Sequence, residues 1–388
     1  MLTFKAFKGI NNVVPEHRLG AGDLLSATDV DIGLTGEISR RGGYRKVSGA
    51  CHRDLWQAHG YLLAVVDSQL TAIHPDGARH IVYPSLGPER VWYCNLPDGR
   101  TAWANGLQHG VTDGATNQDR CVPAPSSIGA HDAHFGQLHP GTYRYHLTYV
   151  RLSDRLEGPA VSSAPVLLMD GGLRLDGLPM IEGHAINVYL SGQDGEGAYL
   201  AGTATARSYQ FDGSNASLVL PCRTFGAQAF PVGTITAEWR GRVLVAQGAV
   251  LWAGRPMAPH LADWRDFRTM PAPITGIVPV DDGIYVGTAE DLVFLSGTTF
   301  DQLVYMARKT GPVVLGSAVP APGRYLRLGD GAGAGPAMVC IAAGQVVAGF
   351  SGGQTASLTA GRYKTSVSEV AATFRVLGEV PQYMAVPR

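Results

Sequence analysis

The sequence predicts an all-β protein, and three observations carry that prediction. Fifty glycines and 24 prolines punctuate 388 residues, of which 16% are charged. A turn-rich, charge-poor composition of this kind belongs to strands. No long segment places apolar residues at helical spacing, and short β-rich runs of about four to seven residues recur between turn formers.

The chain opens on an extended stretch, Phe7-Lys8-Gly9-Ile10-Asn11-Asn12-Val13, and then a tight turn cluster. Val30 and Ile32 alternate, Gly36 turns the chain, and Ile38 leads into Arg40-Arg41-Gly42-Gly43-Tyr44 and Arg45-Lys46. This spacing predicts a β-hairpin that opens a larger sheet, with a basic corner after it. The corner is the densest basic cluster in the chain. It reads either as a solvated turn or as a contact for phosphate or for an acidic neighbouring subunit.

Between Cys51 and Pro125, strands alternate with turns. Tyr61–Val66, Gln69–His74, His80–Tyr83, Val91–Cys94 and Thr101–Ala104 are separated by Asp67-Ser68, Pro75-Asp76-Gly77 and Pro97-Asp98-Gly99. Apolar run, short turn and apolar run are the pattern of antiparallel meanders, and repeated meanders make propeller blades. The character changes at 138–222. Tyr143, Tyr145 and Tyr149 alternate onto one face, and Val166–Met169, Ala185–Leu190, Ala198–Gly202 and Ser208–Phe211 follow. That strand count and turn spacing predict an inserted immunoglobulin/fibronectin-III-like sandwich. Meander character returns at 225–388, with Arg240-Gly241 as a strand turn and Asp263-Trp264-Arg265-Asp266-Phe267 as an acidic loop. The predicted organisation is an arm and hairpin over 1–50, and a propeller-like body split between 51–135 and 225–388 by the insert.

Composition and motifs exclude several chemistries. A formal charge of −1 excludes a globally basic nucleic-acid binder. The five cysteines (51, 94, 121, 222 and 340) are scattered without a CxxC, so neither a zinc ribbon nor a disulfide framework is predicted. The absence of a leader-like apolar core and of any membrane-length apolar run predicts a chain folded in the cytosol. His131, His134 and His139 lack a further ligand at usual metal spacing and read as a linker. Asp281-Asp282-Gly283 reads as a turn, not as paired catalytic carboxylates. No Gly-x-Ser-x-Gly elbow and no phosphate loop is present in the required context.

The opening run and the Ala27–Ile32 and Gly36–Tyr44 motifs resemble the N-terminus of bacteriophage tail structural proteins. Residues 235–300, with Trp239-Arg240-Gly241-Arg242 and Trp264-Arg265-Asp266-Phe267, are similar to the central blades of the hub/nozzle, or packaged-DNA stabilisation, proteins of short-tailed phages. The resemblance implies a structural virion protein and not an enzyme, made in the host cytoplasm and ending in the tail. It implies a homo-oligomeric, hexameric ring that extends the DNA channel and retains packaged DNA without sequence recognition. Its implied neighbours are portal or adaptor and tail-fibre proteins, with no cofactor, no metal and no membrane insertion. Subunit or tail-partner contacts are expected at Phe4, Phe7, Ile10, Arg40, Arg41, Arg45 and Lys46. Two other readings stand beside it: a tail-tip or fibre-attachment protein, and a polysaccharide-degrading propeller enzyme.

Overall fold

The computed structural model describes residues 6–388 apart from 34, 44, 127–128, 330 and 378–379. The chain is all-β, and the only helical pieces among the described residues are three-residue 3-10 turns. Five antiparallel meander sheets follow one another along the chain. The first comprises His52–Gln57, Leu62–Val66, Gln69–Ile73 and Arg79–Tyr83. The second comprises Trp92–Asn95, Thr101–Ala104, His109–Thr112 and Asn117–Asp119. Sheet three holds Thr236–Trp239, Arg242–Gln247, Val250–Arg255 and Ala258–Thr269, with Ala227–Ala229 added at its outer edge. Sheet four runs Ile274–Val280, Gly283–Thr288, Leu292–Ser296 and Val304–Ala307. The fifth is Val319–Pro322, Pro336–Ala342, Gln345–Gly349 and Thr355–Ser357.

The apolar cores lie between consecutive sheets. Leu63, Leu70 and Trp103 join sheets one and two. Cys94 and Ala102 meet Val243 and Val245 between two and three, so the stretches before and after the insert share a core. Leu244 and Leu251 meet Ile284 and Val293 between three and four, and Tyr285 and Phe294 meet Met338 and Cys340 between four and five. The first strand of every sheet contributes to the wall of one cavity of about 500 Å³. Sheets packed in series around a common axis are the arrangement of a β-propeller. A last hairpin, Val370–Leu377 with Val380–Pro387, packs Phe374 and Tyr383 against sheet five.

Local turn chemistry explains the meanders. Asp67 and Ser68 both take positive φ (48° and 63°), as do Arg240 and Gly241 (52° and 77°), which gives two-residue hairpins whose twist matches the strands. Met338, Cys340 and Ala342 fill one side of a strand and Val339 the other, so both faces of the central strands are buried.

The insert has three sheets around one core, the smallest being Gly141–Tyr143 paired with Val166–Leu168. Ala130–Ala133, Gly172–Asp176 and Ser208–Phe211 form the second, and Val161–Ser162, Tyr145–Arg151, His184–Leu190 and Tyr199–Ala204 the third. Tyr143, Tyr145 and Tyr149 all point into that core with Leu147, Leu173 and Val188, which is the face the aromatic alternation predicts. The insert is fastened to the body: Arg151 donates to the Asp119 carbonyl (2.7 Å) and His260 Nε2 to the Glu157 carbonyl (3.0 Å).

Three expectations are corrected. His131 lies in a strand paired with Arg174, so the stretch around it is not a linker, and Ala130–Ala133 joins the sheet of Gly172–Asp176. Trp264–Phe267 is the middle of the twelve-residue strand Ala258–Thr269, not a loop. The hairpin Val30–Ile32 with Ile38–Arg40 forms with Ile32 opposite Ile38, but it stays a two-stranded sheet and opens no larger one.

Candidate functional site

Two features stand apart from the serial cores: the leading segment and the axial cavity. In the leading segment, backbone bonds are local. Phe7 N–H donates to the Gly36 carbonyl (2.9 Å), Lys8 to Gly22 (2.7 Å) and Asn11 to Leu24 (2.8 Å). Gly36 sits at φ +83°, and a Cβ there would lie 2.7 Å from the Phe7 oxygen, so the turn requires glycine. Asn11 is buried, and its side-chain oxygen accepts from the backbone of Val13 and Val14. Short polar side chains of this kind replace strand bonds where a chain bends.

The segment meets the body at one turn. Asn12 N–H donates to the Arg362 carbonyl (2.9 Å). Its side-chain amide donates to the Lys364 carbonyl and accepts from the Lys364 N–H, both at 2.8 Å. Arg362 pairs with Asp23 at 2.5 Å. No described residue before Trp56 belongs to any of the apolar clusters.

The predicted contact residues divide. Phe7 and Ile10 are half-buried within the segment, and Phe4 lies outside the described residues. Arg40, Arg41, Arg45 and Lys46 are all exposed. Arg41 pairs with Asp31 at 3.5 Å, while the other three form no ion pair among the described residues. Val47, beside them, is 89% exposed. Sequence reasoning favoured the aromatic and basic positions and missed Asn11, Asn12, Asp23, Arg362 and Lys364. The two adjacent asparagines after Gly9-Ile10 were the available signal; their partners, some 350 positions on, gave none.

The axial cavity is walled by Trp56, Tyr93, Thr236, Ile277 and Val319 from the five inner strands, and by Ala371, Thr373 and Val386 from the last hairpin. An ionic cluster holds the hairpin's base there. Arg388 reaches Asp54 at 2.9 Å and Glu369 at 3.4 Å, and Arg90 reaches Glu369 at 3.3 Å while stacking 4.1 Å over Trp92. Asp54, almost fully buried and at φ +55° in a strand bulge, also accepts from Arg53 and from the Val91 N–H. Burial lowers the Arg90 pKa, the charge of Arg388 lowers it further, and Glu369 and Asp54 offset part of this. Three guanidinium groups and two carboxylates thus tie the first sheet to the chain's last strand through charge-assisted bonds.

A second buried cation lies between sheets two and three. Arg120 is 1% exposed, donates to His109 Nδ1 at 3.0 Å and stacks 4.5 Å over Phe230. No carboxylate pairs with it among the described residues. Burial, with the Arg120 charge as a smaller cause, pushes His109 down to about 3, so its ring is neutral and able to accept that bond.

No protein-family model matches the chain, and no curated protein matches it. Solved structures that resemble it include the Dos1 propeller (9% identity, TM-score 0.36, covering 92% of this chain and 78% of that one). BBS1N in complex with ARL6DN matches at 11% identity and TM-score 0.33, over 87% and 89% of the two chains. Virginiamycin B lyase from Staphylococcus aureus matches at 11% and 0.33, over 86% and 91%. Identities and scores this low transfer nothing from those proteins to this chain, and its fold class rests on its own strand order and serial cores.

Proposed function

We propose that this chain is a structural subunit of a phage tail, of the hub or nozzle type, that forms a homo-oligomeric ring. The ring extends the DNA channel, retains packaged DNA and carries other tail parts; a six-fold tail gives it six copies. The observation that carries this reading is the leading segment. Its residues bear the family resemblance, and they add nothing to the apolar cores of the body. A segment that the body does not need for its own core, and that presents Arg40, Arg45, Lys46 and Val47 to solvent, is suited to subunit contact.

On this reading DNA runs along the axis of the ring and not through the propeller. The propeller's own cavity is lined by Trp56 and Trp92 and crossed by the base of the last hairpin. A net charge of −1 suits a channel wall that does not hold phosphate tightly. The basic corner then faces acidic groups of an adjacent subunit or of a portal, adaptor or fibre protein. Residues 130–211, three sheets on one core, are read as the immunoglobulin/fibronectin-III-like sandwich, held to sheets two and three by Arg151 and His260.

Light scattering and negative-stain electron microscopy of the purified chain test the proposal. The expected outcome is a closed ring with an opening wide enough for duplex DNA. A chain that stays monomeric at high concentration and depolymerises host polysaccharide would replace this reading with the enzymatic one.

A further inference from the structure

We propose that in the assembled ring the leading segment of each copy docks on the Arg362–Lys364 turn of the next copy, so that the contact made within one chain here is exchanged between chains. This rests on the ring proposed above and names the surface that closes it. Three observations carry it.

The segment is a unit of its own. Its bonds from Phe7 to Gly36, Lys8 to Gly22 and Asn11 to Leu24, and the Ile32–Ile38 hairpin, are all internal. It is bonded to the body through Asn12 and Asp23, which meet Arg362 and Lys364. These bonds are the same whichever copy supplies the turn, so exchange loses none of them.

The tether is long and loosely held. From Gly42 to Cys51 every described residue is exposed except Ser48 and Ala50, which are half-buried. At about 3.3–3.6 Å per extended residue that stretch reaches roughly 35 Å, enough to pass to a neighbouring subunit. Within one chain even a tether of this length gives a high effective concentration, so exchange requires the ring to supply something more.

The tether and the end of the hairpin before it supply it. Arg40, Arg45 and Lys46 lack an ionic partner among the described residues, and Val47 is almost wholly exposed. In an exchanged arrangement these residues lie across the junction between two subunits, where ion pairs and apolar cover become available. The contact is head-to-tail, Asn12 and Asp23 on one surface and Arg362 and Lys364 on another, which is the kind that closes a ring by rotation.

Disulfide trapping distinguishes the two arrangements. In a Cys51→Ser background, Asn12→Cys with Lys364→Cys is oxidised at assembly concentration and run under denaturing, non-reducing conditions. Asp23→Cys with Arg362→Cys repeats the test without altering Asn12. The expected result is a ladder of covalent oligomers ending at ring size, and dimers when the two single variants of a pair are mixed. Monomers closed within one chain in both pairs, while light scattering still shows a ring, would overturn the exchange and leave the ring standing. Closed monomers with no ring would overturn both.

Discussion

Replacing Trp103 by alanine is expected to lower the unfolding free energy of the body by about 3–5 kcal/mol. Trp103 is 0% exposed in the core between sheets one and two, with its ring 5.2 Å from that of Tyr83. Its indole N–H donates to Asn117 Oδ1 at 2.8 Å, which ties the second strand of that sheet to the fourth. Gly110 opposite has no room for a side chain, since a Cβ there would lie 2.7 Å from the indole nitrogen. The cavity left by truncation is therefore framed by backbone that cannot collapse into it. Denaturant unfolding measures the effect. Asn117→Ala, which orphans the N–H but keeps the ring, is expected to cost less, about 1–3 kcal/mol. Equal losses for both variants would mean that packing between the two sheets contributes little.

The second large effect is loss of stability in acid. Burial holds His109 neutral down to about 3 and His146 down to about 4, with Arg120 and Arg144 as the smaller causes. An unfolded histidine titrates near 6.5, so in the window between these values the unfolded chain binds protons that the folded chain refuses. The stabilisation is complete above about 6.5 and falls away as pH drops toward 3–4. His146 is buried and meets Phe225 edge-on, whereas His109 is only half-buried. Discounted for the water that reaches His109, the two together contribute on the order of a few kcal/mol. Stability measured from pH 7.5 to 4 should fall with a slope that His109→Gln and His146→Gln each flatten. A slope unchanged in the double variant would assign the acid loss to other groups.

The sequence made some of this architecture readable and hid the rest for physical reasons. Two-residue turns such as Asp67-Ser68 and Arg240-Gly241 were legible because turn chemistry and flanking apolar alternation agree within a few residues. The tyrosine face of the insert was legible for the same reason, since strand period alone places Tyr145, Leu147 and Tyr149 together. Local pattern failed where pairing is long-range. His131 reads as a linker residue because glycines and a proline surround it, yet it pairs with Arg174 across more than forty positions. Trp264–Phe267 mixes charged with aromatic residues, and both Trp264 and Phe267 are exposed, so the stretch imitates a loop. Neither the Arg388–Asp54 contact nor the Asn12–Lys364 contact leaves any mark in local composition, because each joins opposite ends of the chain.

On the proposed reading the leading segment serves assembly and not the stability of its own subunit. Deleting residues 1–41 and measuring both mass by sedimentation and melting temperature tests it most directly. The expected result is loss of the ring with the melting temperature of the subunit unchanged within about 2 °C, because no apolar core loses a residue. A truncated chain that still assembles, or one that loses several kcal/mol of stability, would contradict it.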